Sequence, residues 1–298
     1  MKFIKPSFEI WEQTDTPEGI LKQIEKVGRV CYKSEDKITE NSAETFVNNL
    51  IKNKHYAMLE HGTVYLIVPN KGDEWIDTEE KINAYDVVLR YAFNKYSSVV
   101  NENGCTIADK EDFCNSNFAY ITSNYRVLVE NEWEDDLIYL SKHTELHHKR
   151  LTVHFTCDCG VGREFTRHRK FSFAQESTRY CNFSKDRFNN ELTFIVYPWS
   201  TPEDVTEVNC VDEDFWKVCE QAEKSYINLI KLGWKPEQAR IVLPLATKTE
   251  LIMTGFVEDW LHFFNLRAKG TTGKPHPQAK ELAEPLLEEF IKLGYIVA

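Results

Sequence analysis

From Leu151 to Cys157 the chain alternates without a break: Leu151, Val153, Phe155 and Cys157 are set against Thr152, His154 and Thr156. Successive strand side chains point to opposite faces, so this pattern calls for a half-buried strand. A sheet with one face less dry than the other is antiparallel or mixed and takes its helices on one side. Helices to cover it are legible. Thr16-Pro17-Glu18 reads as an N-cap followed by proline at the first helical position, and Ile20, Ile24, Val27 and Cys31 recur at helical spacing, which predicts a helix over 17–31. A second helix is expected over 42–52. The clearest one spans 211–231, with Phe215, Val218, Cys219, Ala222, Tyr226, Leu229 and Ile230 on one face and Gly233 as its stop. Short helices are expected from Pro236, over 257–268, and over 278–292 with a kink at Pro285. Strands are expected over 63–68 and 192–197. The fold class that follows is α+β, a mixed or antiparallel sheet with packed helices.

Residues 69–150 break this rhythm. They hold strand-like aromatic pieces (YDVVLRYAF and NFAYITSNYRVLVE), an Asn-rich loop near Val100–Gly104, and a helix expected over 135–142. The reading is one catalytic domain, 1–298, carrying an insertion at about 69–150. His143, His147 and His148, beside Lys149-Arg150, read as a surface cluster.

The chain has 298 residues, 42% apolar and 28% charged, enough for a large core. No apolar run approaches the ~18 residues of a membrane helix. The opening MKFIKPSFEIWEQ lacks the pattern of a signal peptide, so the cytoplasm is the expected location and the eight cysteines are expected to be thiols. The net charge of −11 disfavours a general nucleic-acid binder, whose affinity rests on neutralising phosphates. Between Arg163 and Arg187, however, seven basic side chains face three acidic ones. A compact cationic island in an anionic chain suits a small anionic ligand.

Within that island, Arg167-His168-Arg169-Lys170 leads through Gln175-Glu176-Ser177-Thr178-Arg179-Tyr180. Guanidinium forks grip phosphate or carboxylate, hydroxyls and backbone N–H groups complete a cradle, and a glutamine offers one donor and one acceptor. On composition alone a solvated basic helix end is the competing reading. An RNA-binding module built on the basic 163–187 segment is the alternative function, although the chain lacks a stacking-sheet motif. Cys157-x-Cys159 near His154 lacks the second pair of a structural zinc site, and no metal is expected.

The order Arg-His-Arg, seven residues, serine, then Arg-Tyr resembles the RHRx7S signature of the flavin-dependent thymidylate synthases, or thymidylate synthase-complementing proteins. Arg29-Val30-Cys31-Tyr32, His55 with Glu60-His61, Ala239-Arg240-Ile241-Val242-Leu243-Pro244 and His262-Phe263-Phe264-Asn265-Leu266-Arg267 resemble further blocks of that family in the same order. The resemblance implies the family's α+β fold and methylation of dUMP to dTMP. It also implies methylenetetrahydrofolate as carbon donor, FAD reduced by NADPH as hydride source, and a homotetramer with shared sites. By the same resemblance, Arg167, His168 and Arg169 hold FAD with His55, Glu60 and His262. Glu164, Gln175, Ser177, Thr178, Arg179 and Arg240 hold dUMP, and Arg167 touches both ligands. Arg267 meets the uracil and favours ionisation at N3. Phe256 and Glu258 depart from the Asn and Arg that compact members often carry beside the flavin. Ser177 is expected to donate to a ligand, and neither it nor Cys181 is expected to act as a nucleophile.

Overall fold

The computed structural model describes residues 1–69, 84–106, 116–185, 188–199 and 213–297. In chain order its elements are β1 (Lys2–Ile4), β2 (Ser7–Trp11), α1 (Pro17–Tyr32), α2 (Ser42–Lys52), β3 (Thr63–Pro69), α3 (Ala84–Ala92), β4 (Ser98–Asn101), β5 (Phe118–Asn124) and α4 (Tyr125–Asn131). There follow β6 (Arg150–Asp158), α5 (Cys159–Phe165), β7 (Ser172–Gln175), β8 (Thr193–Ile195), α6 (Glu213–Lys231), α7 (Pro236–Ala239), β9 (Lys248–Phe256), α8 (Val257–Phe264) and α9 (Pro277–Lys292). A π-helical turn, Asn265–Lys269, follows α8. The class is α+β, as expected.

The chain divides into two compact units. The first comprises Met1–Trp11, Arg29–Ser34 and Val153–Ala298; the second comprises Glu12–Gly28 and Glu35–Thr152. The 69–150 segment therefore shares a unit with most of α1 and with α2 and β3. No helix among the described residues is long and apolar enough to cross a membrane, and no disulfide joins the described cysteines.

In the first unit β2, β6, β9 and β7 form a four-stranded sheet in that order, while β1 and β8 pair in parallel. β7 runs antiparallel to β9, with Ser172 opposite Thr254 and Gln175 opposite Leu251. The alternation read in the sequence holds along β6 from Val153 to Cys157, where Val153, Phe155 and Cys157 are buried and His154 and Thr156 are half-buried, but not at Thr152, which is buried like its neighbours. Phe155 packs on Phe165, Trp260 and Phe263, and Phe290 of α9 closes on Trp260 and Phe264. Offset and edge-on ring pairs of this kind add to the area they bury. Gly255 is required here, because a Cβ at that position would lie 2.5 Å from the Phe171 ring. A second apolar cluster, around Cys181, Phe183, Phe194, Cys219 and Tyr226, seats α6.

In the second unit β5 lies between β3 and β4, antiparallel to both. Thr16 caps α1 as expected, its Oγ1 accepting the Gly19 N–H at 3.0 Å. Ile20, Ile24, Val47, Leu50, Val64, Leu66, Val87, Tyr91, Ile121 and Leu128 share one core.

Several elements differ from the sequence reading. YDVVLRYAF lies mostly in helix α3, because Ala84, Val87, Val88 and Tyr91 fall on one helical face and are all buried. In the second aromatic piece β5 stops at Asn124, whose side chain accepts the Val127 N–H at 3.2 Å and starts α4. The helix expected over 135–142 is a 3-10 turn, Glu134–Tyr139. α9 continues through Pro285. His147 is no surface residue: it is buried, with its ring bonded to the Leu66 carbonyl at 3.1 Å. Strands β1, β2, β4, β7 and β9 went unread, and β4 takes in Val100 and Asn101, where the sequence suggests a loop. The start of the helix expected over 211–231 lies outside the described residues.

Candidate active site

The arginine-rich segment sits where β6 ends. The buried Asp158 caps α5 by accepting the Val161 N–H at 2.9 Å, and its other oxygen accepts from Gln278 Nε2 at 2.8 Å. This short helix buries Phe165 and carries Arg163 and Glu164 on its outer side. The chain then turns, and the turn sorts its side chains: Arg167 and Arg169 point to solvent, and His168 between them is 7% exposed. Among the described residues Arg163, Arg167 and Arg169 make no ion pair.

His168 meets Arg267 from the π-helical turn. The Arg267 Nε–H donates to His168 Nε2 at 3.1 Å, Nη1 donates to Glu164 Oε2 at 2.6 Å, and Nη2 donates to the Glu164 carbonyl at 3.0 Å. The His168 ring packs edge-on against Phe263 at 5.0 Å and lies 6.0 Å from the ring of His262. Burial first, then the charges of Arg267 and His262, pull its pKa down to about 4, so the ring is neutral near pH 7.

The strand β7 delivers the rest of the motif. Gln175 Nε2 donates to Thr249 Oγ1 at 3.2 Å, and a Cβ on Gly162 would lie 3.0 Å from that amide. The Ser177 N–H bonds the Cys31 carbonyl at 3.0 Å, and Ser177 Oγ accepts the Arg179 N–H at 3.3 Å. Arg240 Nη1 donates to Thr178 Oγ1 at 3.3 Å, and Arg179 Nε to Glu237 Oε2 at 3.0 Å. Thr178, Glu237 and Arg240 line a cleft of about 900 Å³ together with Arg163, Cys159, Trp234 and Leu245. Arg240, which could have paired with Glu237, instead reaches Thr178, and Glu237 is taken by Arg179. Cys181 is buried.

Behind β7 lies a charge network that the sequence reading missed. Glu250 on β9 pairs with Lys33 and Lys248 and accepts from His154 Nε2 at 2.9 Å; the buried Glu176 pairs with Lys248 at 2.9 Å. Trp11 stacks on His154 at 4.8 Å. Burial pushes Glu176 up. Burial alone would push Glu250 up too, but the His154 hydrogen bond and the two lysines hold it well below the usual carboxylate range. The charge alternation Lys248, Glu250 along β9 was the available signal.

His55 and Glu60 belong to the second unit. His55 is exposed and precedes the 3-10 turn Tyr56–His61. Glu60 Oε1 accepts from Arg126 Nη1 at 2.5 Å, and its carbonyl accepts from Arg150 at 3.1 Å. His262 is exposed on α8. The outward guanidinia of Arg167 and Arg169, paired with no carboxylate among the described residues, fit the diphosphate of a dinucleotide such as FAD. His168 offers less, because its burial and its bond to Arg267 leave Nε2 engaged.

A family model described as thymidylate synthase complementing protein matches residues 82–293, which takes in most of the 69–150 segment. A probable flavin-dependent thymidylate synthase of Paramecium bursaria Chlorella virus 1 is 29% identical over 153 residues, 48% of this chain and 66% of that one. A flavin-dependent thymidylate synthase of Pyrococcus furiosus is 29% identical over 175 residues, 57% of this chain and 68% of that one. The matched stretch spans about two thirds of the length of these relatives. Among solved structures, a UMP/dUMP methylase from Streptomyces cacaoi bound with 5-Br dUMP aligns over 98% of this chain and 93% of that one, at 16% identity and a TM-score of 0.43, a likeness too loose to argue from. The family match covers the turn that presents Arg167 and Arg169, the cleft beside Thr178 and Arg240, and the clamped Arg267; the chain belongs to the thymidylate synthase complementing protein family.

Proposed function

We propose that the chain is a flavin-dependent thymidylate synthase that methylates dUMP to dTMP. The observation that carries this reading is the clamped Arg267 beside a turn with two outward arginines that make no ion pair among the described residues. In this reading Arg167 and Arg169, with His262, His55 and Glu60, hold FAD. Arg240, Arg179, Thr178, Ser177, Gln175, Glu164 and Arg167 receive dUMP, and the cationic side chains meet its phosphate. Arg267 acts on the base: a fixed guanidinium beside N3 and O4 stabilises negative charge on the ring, which raises electron density at C5. No side chain here is needed as a covalent nucleophile, and the burial of Cys181 accords with that. FAD reduced by NADPH supplies the hydride that turns the carbon from methylenetetrahydrofolate into a methyl group.

We further propose a homotetramer with shared sites, a cytoplasmic location, and one catalytic domain in which 69–150 is an elaboration. The decisive experiment is the visible spectrum of the purified protein, followed by dTMP formation from dUMP, methylenetetrahydrofolate and NADPH. Flavin bands and dUMP-dependent turnover are expected. Colourless protein that takes up no added FAD refutes the assignment, and sedimentation as a monomer refutes the tetramer.

A further inference from the structure

We propose that His168 is a positioning residue for Arg267, acting with Glu164 as a two-sided clamp. The family resemblance alone groups His168 with the flavin contacts; the geometry gives it a different task. The clamp rests on the proposed function only in what Arg267 then does to the base.

The argument begins with the guanidinium plane. Glu164 holds both terminal nitrogens of Arg267, one through its carboxylate and one through its carbonyl. Glu164 is half-exposed, and an ion pair open to water tolerates a swing of the long side chain. The remaining nitrogen of the plane donates its Nε–H to His168 Nε2. An acceptor on Nε fixes the plane as well as the position. With Glu164 taking one N–H from each terminal nitrogen, one N–H on each remains to donate to a ligand.

His168 suits the task because it is itself immobile. It is buried, Phe263 closes one side of its ring edge-on at 5.0 Å, and Phe171 lies 6.3 Å away, also edge-on. Phe171 in turn is pressed against Gly255, where no side chain is tolerated. The charged and titratable groups that face the ring are Arg267 from the π-helical turn and His262 from α8, with Glu164 of α5 behind Arg267. An imidazolium in that company would repel the guanidinium and could not accept from it. Burial, Arg267 and His262 hold the ring neutral. A neutral acceptor also positions the arginine without adding a second counter-charge to Glu164, so more of the cation's field is left for the ligand.

The clamp is tested in two ways. Nitrogen-15 spectra of histidine-labelled protein at pH 7 are expected to show His168 as the tautomer with its proton on Nδ1 and Nε2 bare; a proton on Nε2 overturns the proposal. This observation does not require turnover, so it stands apart from the test of thymidylate synthesis. In variants, His168→Gln keeps an acceptor near the Nε2 position and His168→Leu removes it. His168→Leu is expected to lose about tenfold or more in kcat, as loss of a charge-assisted hydrogen bond implies. Its flavin affinity by fluorescence titration is expected to be unchanged, and His168→Gln is expected to recover most of the rate. Full rate in His168→Leu, or loss of flavin affinity in parallel with rate in both variants, refutes the clamp. If His168→Leu fails to fold, the Arg267 Nε–H resonance in His168→Gln decides: a shifted, hydrogen-bonded signal supports the clamp, and a solvent-like one refutes it.

Discussion

Replacing Glu250 by glutamine removes the hub of the network behind β7 while keeping its shape. The side chains of Glu250, Lys248 and Lys33 are only 12%, 15% and 17% exposed, so solvent screens them little. Removing one partner of a buried ion pair costs ~3–5 kcal/mol. Two features soften the loss: Lys248 keeps Glu176, and a glutamine oxygen still accepts from His154. We expect ~2–3 kcal/mol, which for a domain of this size is about 4–12 °C in Tm. The pH dependence follows from the sign of the shift. Because the folded Glu250 pKa lies below its unfolded value of ~4.3, its contribution is complete above that value and is lost as pH falls toward the folded pKa. Glu176 works in the opposite sense: its raised pKa makes it take a proton first on acidification, which leaves Lys248 to Glu250. Urea unfolding followed by tryptophan fluorescence and circular dichroism, run from pH 7 to pH 3, is therefore expected to show a gap between parent and Glu250→Gln that narrows only below about pH 4. A variant as stable as the parent at pH 7, or a gap constant down to pH 3, would show that the network contributes packing alone.

Two further outcomes are expected. Glu237→Gln frees Arg179 at the cleft and removes a negative charge from the path of a phosphate, so KM for dUMP should fall severalfold while kcat holds; an unchanged KM would remove Arg179 from the phosphate site. Replacing 70–149 by a short Gly/Ser linker should unfold the second unit, since it removes β5 from its place against β3 and takes Val87, Tyr91 and Ile121 from the shared core. Retained protection of α1 and α2 against limited proteolysis would mark the segment as dispensable.

How far the sequence revealed this molecule depended on the range of each signal. The Arg167–Arg169 turn and the Ser177–Arg179 segment were legible because the chemistry lies in one short run, and the caps at Thr16 and Pro17 because they act within a single helical turn. Helix α3 was misread because Tyr85, Val87, Val88 and Tyr91 have the composition of a strand, and only their i, i+3, i+4 spacing betrays the helix. Strand β9 alternates only at its start, Lys248 and Glu250 against Thr249 and Leu251; from Leu251 through Gly255 every residue is buried and no alternation is left to read. Lys33 and Glu250 are 217 positions apart, and no local pattern announces that they meet. The inward turn of His168 was hidden for the same reason, since its partner Arg267 comes from 99 residues away.

The cations of the proposed site divide into three kinds, and the division explains how an acidic chain can bind anions selectively. Arg163, Arg167 and Arg169 are outward and make no ion pair among the described residues, so an incoming phosphate meets them without displacing a carboxylate. Arg179 is exposed and paired with Glu237, an arrangement of little net strength in water, so it can exchange that partner for a ligand as the cleft fills. Arg267 differs from both. Its three contacts come from a carboxylate, a carbonyl and a neutral, buried imidazole, so it is held from several sides at once. Adaptable arginines suit binding, where a ligand has to enter and leave. A fixed one suits chemistry, where charge must already be in place when the ring becomes electron-rich. In the proposed reading, that contrast suits Arg267 to the reacting ring and the others to the phosphates.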